Sequence, residues 1–413
     1  MRILVISHLF PNRLDPTSGI FVLEQLRALR ELGVEATVIV PTPWIPKPLR
    51  FLRRAQKYNG IPSRSQIDGF TVEYPRVPAL PASHLFVLYG FFYYARCRYL
   101  LRSYIKDGSY DLIHAHMVMP DGFGAALLGR EFGLPIICTM HGEDINDYPL
   151  RNALIRWATA WTLRRMAGLI AVSADIGRNA LRLSGSQGIT VAHNGADADQ
   201  FRARSKMEAR AALGIAPEIK VVLFVGYLVI EKSIEDLLSA FAALPRQDTF
   251  LYIVGDGYMK SSLVALAKNL RLADKCIFAG YRAHDEIPAW LSAADCLVLS
   301  STTEGLPTIL AEAMMCRVPV VATAVGGVPE IVTDGVTGYL VPPRDSAALA
   351  KAIATVLDSD GIDSIVGTAA AHARAKLTWN ANARTTLAVY RDVLSVRGAA
   401  NPVEMPAHPV SSN

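Results

Sequence analysis

The sequence predicts an α/β protein made of two doubly wound parallel-sheet domains facing across a cleft. Two observations predict it. Short apolar runs alternate with amphipathic helical stretches over the first 200 of 413 residues, and the alternation restarts after a charged interval. Strands separated by helices read as βαβ units and hence a parallel sheet. A length of 413 residues suits two domains, each large enough to bury its own core.

In chain order, RILVIS (2–7) is the first strand, and IFVLEQLRALRELG (20–33) is a helix closed by Gly33. EATVIVP (35–41), DLIHAH (111–116), PIICTMHG (135–142) and GLIAVS (168–173) are further strands. Strand signal stops and charge rises near HNGADADQFRARS, at about residues 196–206. Six apolar strands follow: KVVLFVG (220–226), FLYIVGDG (250–257), CIFAG (276–280), CLVLSS (296–301), VPVVAT (318–323) and GYLVP (338–342). The expected organisation is therefore a first domain over 1–200 and a second over 201–378. A helix over 379–397 returns to the first domain, and a Pro/Ser-rich tail over 398–413 is expected to be disordered.

Composition excludes several classes. The five cysteines are scattered and form no C-x-x-C pair, which disfavours a disulfide framework or zinc ribbon and suits a reducing compartment. No leader segment is read at the start, and the eleven-residue apolar run Leu85–Ala95 is too short to span a bilayer. Net charge is +5, but eleven Lys/Arg fall between Lys47 and Lys106 against only Asp68 and Glu73. With the aromatics Phe86, Tyr89, Phe91, Phe92, Tyr93 and Tyr94 alongside, residues 47–106 are a candidate membrane-surface contact. The other reading is a solvated basic surface. No nucleic-acid recognition motif accompanies the block, so no nucleic-acid partner is expected. The expected location is cytoplasmic, peripheral on the inner membrane face.

The chemistry concentrates in STTEGLPTILAEAMM, from Ser301, where Glu304 and Glu312 are eight positions apart. CLVLSS reads as a strand, TTEGL as a loop and Pro307 as the first helical residue of a helix running to about Cys316. The free N–H groups and positive end of such a helix suit a phosphate, and Gly305 lets a backbone come close. Glu312 lies about 7.5 Å along the helix axis at 1.5 Å per residue. Side chains lean toward the helix start, so both carboxylates reach one ligand and can each accept a pair of hydroxyls. Lys232, behind KVVLFVG, can neutralise a leaving diphosphate. Ser233 reads as an N-cap followed by the first-turn acids Glu235 and Asp236.

These segments resemble the family 4 retaining glycosyltransferases, which have the GT-B fold of two Rossmann-like domains. The likeness spans about residues 1–393 and rests on SGIFVLEQLRAL, DLIHAHMVMPDG, TMHGED, HNGAD, VGYLVIEKS, IVGDGYM, EGLPTILAEAM and VGGVPEIVTDGVTGYLVPP in that order. The resemblance implies that Glu304 contacts donor-sugar hydroxyls, that Glu312 contacts the ribose, and that His141 lies beside the donor sugar. It implies catalytic roles for His141, Lys232 and Glu304. Gly19, Asn194, Gly226, Lys232, Gly305, Leu306, Pro307, Thr308 and Glu312 are the expected donor-binding set. The implied donor is a UDP- or GDP-sugar and the acceptor a hydroxyl of a glycan or lipid-linked intermediate of envelope or polysaccharide assembly. Retention at the anomeric carbon is implied, with the leaving phosphate as base.

The chain departs from the pattern at Tyr227, where the family has Arg, at Ser233 and Arg317, where it has Gly, and at Ser18 in the glycine loop. A local change in the turn is expected at Arg317. Gly255-Asp256-Gly257 is read as a turn, and His114 and His116 as structural residues near the cleft. Asp197-Ala-Asp199 and Asp358-Ser-Asp360 have the spacing of a metal clamp but fall outside the expected diphosphate site. No metal and no cofactor are expected. The competing readings are a non-catalytic nucleotide-sugar-binding subunit and a GT-B epimerase or phosphorylase.

Overall fold

The computed structural model describes residues 1–45, 58, 60–78, 86–105, 110–185, 188–359 and 361–400, with side chains to residue 396. Among them, sixteen strands form two large sheets and one small ribbon. The strands are β1 (Arg2–Ile6), β2 (Glu35–Ile39), β3 (Thr42–Trp44), β4 (Arg64–Ile67), β5 (Phe70–Glu73), β6 (Arg76–Pro78), β7 (Leu112–His116), β8 (Ile136–Met140), β9 (Gly168–Ala171) and β10 (Ile189–Val191). β11 (Lys220–Val225), β12 (Thr249–Val254), β13 (Cys276–Gly280), β14 (Cys296–Leu299), β15 (Val320–Thr323) and β16 (Tyr339–Val341) follow.

The first sheet has the order β10-β9-β8-β7-β1-β2-β5-β4, parallel apart from the β4–β5 hairpin. The second has the order β13-β12-β11-β14-β15-β16 and is parallel throughout. β7, β8, β14 and β15 are buried along their whole length. Helices on both faces explain why these strands read as unbroken apolar runs. Strand order reverses between β1 and β7 and between β11 and β14. Those reversals open crevices at the carboxyl ends of the strands, where ligands bind in open α/β sheets.

The chain crosses between the sheets twice, and the crossings touch. The N–H of Ala196 donates to the carbonyl of Leu377 at 2.8 Å, forming a bridge between Ala196 and Thr378. The helix Trp379–Ala400 then lies on the first sheet's side of the molecule. Its Asn382 meets Gln25 at 2.6 Å, and its buried Tyr390 hydroxyl meets His114 Nδ1 at 2.7 Å.

Several local expectations change. The last helix runs to Ala400, beyond the 397 boundary, while residues 401–413 lie outside the described set. Pro307 is the N-cap in extended conformation (ψ 110°), and the helix it introduces is Thr308–Met315. Arg317 adopts the left-handed backbone that glycine favours, φ 60°, so the strain lies between its Cβ and its own backbone. Ser233 does the same at φ 45°; its hydroxyl bonds Asp236 at 2.7 Å rather than a backbone N–H. Strands β3 to β6 and β10 have no apolar run long enough to announce them.

Candidate functional site

Two cavities of about 350 and 320 Å³ lie between the sheets and share Ile20, Lys232, His284, Pro307, Thr308 and Glu312. They form one trough divided by the start of the helix Thr308–Met315. His141, Asn194, Glu304, Gly305 and Leu306 line one compartment. Gly226, Tyr227, Gly255, Asp256, Tyr281 and Arg282 line the other. Thus the structure brings together every candidate residue except Gly19. Gly19 is buried at the start of the helix Ile20–Glu31, and its neighbours Thr17 and Ile20 line the trough in its place.

The second domain supplies the charged wall. Lys232 sits in a single 3-10 turn behind β11, and Glu304 in the loop behind β14. Lys232 Nζ lies 2.5 Å from Glu304 Oε1, which also accepts the Ser301 hydroxyl at 2.6 Å. Both contacts fall on one oxygen and leave Oε2 for a ligand. Glu312, 5% exposed, receives His284 Nε2 on its Oε1 at 3.2 Å. Burial disfavours charge on His284, but the hydrogen bond and charge of Glu312, with Glu24 adding, raise its pKa above 6.5.

Glycines let the two domains meet at this loop. A Cβ on Gly305 would come within 2.2 Å of the His141 carbonyl, so the close approach is to the opposite domain. Gly326, at φ 52°, lies against the Glu304 carbonyl, where a Cβ would fall at 1.9 Å. Gly327 N–H donates to the Gly305 carbonyl at 3.1 Å. Glu330, next along, is an interdomain clasp. It accepts the backbone N–H groups of Ala174 and Asp175 at 2.8 and 3.1 Å and meets His193 at 3.0 Å.

The first domain supplies a less charged wall. His141 follows β8, and the buried Asp144 holds its loop by accepting the N–H groups of His141, Gly142 and Val118. The His141 ring packs on Phe21 at 4.5 Å, and its Nε2 meets His116 Nδ1 at 3.1 Å. His116 stacks toward His114, 4.3 Å away. Burial lowers the pKa of all three, to about 3 for His114 and His141, so they are neutral at ordinary pH. One nitrogen of the His116–His141 pair donates and the other accepts, and His141 Nδ1 is buried without a protein hydrogen-bond partner.

Sequence reasoning missed His284, Glu24, Phe21, Trp379, Tyr281 and Arg282, all lining the trough. Their signal was position behind a strand or at a crossing, without a motif. Asp197 also lines the trough, contrary to its expected place away from it. Its carboxylate caps its own turn by accepting the N–H groups of Asp199 and Gln200 at 2.8 and 3.2 Å. Asp358 is paired with Arg246, and Asp360 lies outside the described residues. Among the described residues no cluster of three or more His, Cys, Asp or Glu side chains could hold a metal ion. All five cysteines are buried and unpaired.

Of the block's described basic residues, Arg64, Arg96 and Arg102 are exposed. Lys47, Arg50, Arg53, Arg54, Lys57 and Lys106 lie outside the described residues. Arg64 pairs with Glu73, Arg98 and Arg102 with Glu131, and Arg76 donates to backbone carbonyls. Tyr93 is buried, and Phe86 and Phe91 pack on Tyr148 and Phe123. No helix of the described residues is long and apolar enough to cross a membrane.

Two Rossmann-like sheets with a trough between their strand ends define a GT-B glycosyltransferase. Solved structures share the fold: sucrose-phosphate synthase from Thermosynechococcus elongatus has a TM-score of 0.80 at 22% identity, over 96% of this chain and 100% of that one. Anabaena HepE in complex with UDP-glucose has a TM-score of 0.72 at 21% identity, over 97% of this chain and 100% of that one. Residues 18–200 match Glycosyltransferase Family 4, and residues 205–373 match Glycosyl transferases group 1. TuaC of Bacillus subtilis, a glycosyltransferase named for teichuronic acid biosynthesis, is 31% identical over 362 residues, 86% of this chain and 88% of its own. D-inositol 3-phosphate glycosyltransferase 2 of Catenulispora acidiphila is 31% identical over 309 residues, 69% of this chain and 71% of its own. The chain belongs to the family 4 glycosyltransferases, and it is a transferase enzyme.

Proposed function

We propose that the enzyme moves a sugar from a UDP- or GDP-sugar to a hydroxyl of a glycan or lipid-linked acceptor, with retention at the anomeric carbon. One observation carries this reading. Glu304, Glu312, Lys232 and the start of the helix Thr308–Met315 all line a single trough. The diphosphate lies at the helix start, where unpaired N–H groups and the positive dipole end favour an anion. Lys232 turns from Glu304 toward the phosphate and offsets the charge that grows as the sugar–oxygen bond breaks. Glu304 and His141 hold the sugar in one compartment. Glu312 holds the ribose at the divide, and Tyr281 offers the base a flat surface in the other.

Arg282 in the second compartment supplies a cation on the side where Tyr227 removes one. Positioning and fixed charge then do the work for which other transferases use a metal, and we propose that neither metal nor cofactor is required. The leaving phosphate takes the acceptor's proton, and the acceptor attacks from the same face. HepE was solved with UDP-glucose, and TuaC is named for an envelope polymer; both agree with this choice of donor and acceptor class.

The test is release of nucleoside diphosphate from a panel of nucleotide sugars, with and without chelator and with candidate lipid-linked acceptors. Chelator-insensitive release with an α-linked product from an α-linked donor is expected. Binding without turnover across the panel would mark a non-catalytic subunit.

A further inference from the structure

The helix Phe86–Tyr104 buries one stripe, Val87, Gly90, Tyr93, Cys97 and Leu101, and outside it carries large apolar side chains together with Arg96, Arg98 and Arg102. At 3.6 residues per turn, Leu88, Phe91, Ala95 and Tyr99 fall on the opposite stripe. There Leu88 is 38%, Phe91 45% and Tyr99 66% exposed. The helix Ala153–Leu163 continues this surface with Leu154 at 53% and Trp157 at 56%, and Leu150 in the preceding turn is 79% exposed. Rings join the two helices beneath the surface, through the buried Phe123: Phe91 to Phe123 at 5.0 Å, Phe123 to Trp161 at 5.0 Å, and Trp161 to Trp157 at 6.4 Å. Single exposed apolar side chains are ordinary, but a contiguous face is not.

The charge on these two stretches is positive. Residues 86–105 carry Arg96, Arg98 and Arg102, and residues 148–166 carry Arg151, Arg156, Arg164 and Arg165, with no acid in either stretch. Glu131 is matched by Arg98 and Arg102, and Asp147 by Arg151, while the exposed Glu143 accepts the Tyr148 hydroxyl at 3.2 Å. Arg96 and Arg156 are exposed.

We propose that this face docks on an anionic lipid surface. Leucine, phenylalanine and tryptophan enter the headgroup–acyl boundary, while the arginines meet lipid phosphates. The face belongs to the same domain as His141, which lines the trough, and Leu150 follows His141 by nine residues. Docking would therefore hold the trough beside a membrane-borne acceptor, a consequence that rests on the transfer reading above. The lipid contact itself does not.

The test is sedimentation of the full chain with vesicles of phosphatidylcholine alone or mixed with phosphatidylglycerol. Wild type is expected to pellet with the mixed vesicles about tenfold better than with the neutral ones. Leu154→Glu/Trp157→Glu should lose that binding by about tenfold or more while keeping donor hydrolysis in solution. Arg96→Gln/Arg156→Gln, which leaves the apolar face intact, should lose only the preference for anionic vesicles. Wild type that pellets with neither vesicle, or variants that pellet like wild type, would overturn the proposal. So would a concentration-dependent dimer abolished by Leu154→Glu/Trp157→Glu without any vesicle binding, which gives the face to a second copy. Vesicle binding with no turnover of any nucleotide sugar leaves the docking standing and removes the transfer reading.

Discussion

The two walls of the trough are built differently. The second domain's wall is local and charged: Lys232 follows β11 and the Glu304–Glu312 pair follows β14, each within one loop and helix start. The first domain's wall is assembled from distant positions. Phe21, Glu24, His141 and Asn194 come from three helix or strand ends, and buried partners such as Asp144 and His116 hold them. A nucleoside diphosphate offers the same charge pattern in every donor, so a short fixed segment can meet it. The first domain's wall relies on shape more than on charge.

The largest expected effect tests the charged wall. Lys232→Ala should lower turnover of the nucleotide sugar by about 10²–10³, as when a transition-state charge partner is removed. Loss below threefold would mean that the helix start alone carries the diphosphate.

Glu330→Ala tests whether the walls are clasped. It strands the N–H groups of Ala174 and Asp175, so a loss of about 2 kcal/mol in urea unfolding is expected. An unchanged midpoint would show that water satisfies those groups.

His284 gives a smaller, pH-dependent effect. Its folded pKa is raised above the reference of 6.5. The stabilisation from Glu312 and Glu24 is therefore complete below that reference and fades as pH rises through the folded value. The stability gap between wild type and His284→Gln should be widest in mild acid and narrow toward alkaline pH. A gap that widens with pH would assign His284 the opposite charge balance.

The smallest effect lies outside both walls. Arg317→Gly should stabilise the chain by ~1 kcal/mol, because φ 60° is strained for arginine.

This contrast also explains what could be read from the sequence. Eleven apolar strands were legible, most clearly β7, β8, β14 and β15, because strands buried on both faces leave an unbroken signal. β4 (RSQI) and β5 (FTVE) were not, because each is only four residues long and they pair at the edge of the sheet. The Glu304–Glu312 segment was legible because one loop and one helix hold all of it. His284 was not, because it meets Glu312 only through folding, 28 residues apart. Gly305 was read as making room for a ligand, and it also makes room for the His141 carbonyl, which no local pattern announces. The aromatic run from Phe86 looked like one surface, but a helix divides it into a buried stripe and an exposed one.

The most direct measurement compares binding of a nucleoside diphosphate and of its nucleotide sugar to Glu304→Ala and Glu312→Ala by calorimetry. Glu312→Ala is expected to weaken both ligands by about tenfold or more, the loss of a charged hydrogen-bond partner. Glu304→Ala should weaken only the ligand that carries the sugar. Unchanged nucleoside diphosphate affinity in Glu312→Ala, or an equal loss for both ligands in Glu304→Ala, would contradict the placement of the donor along the trough.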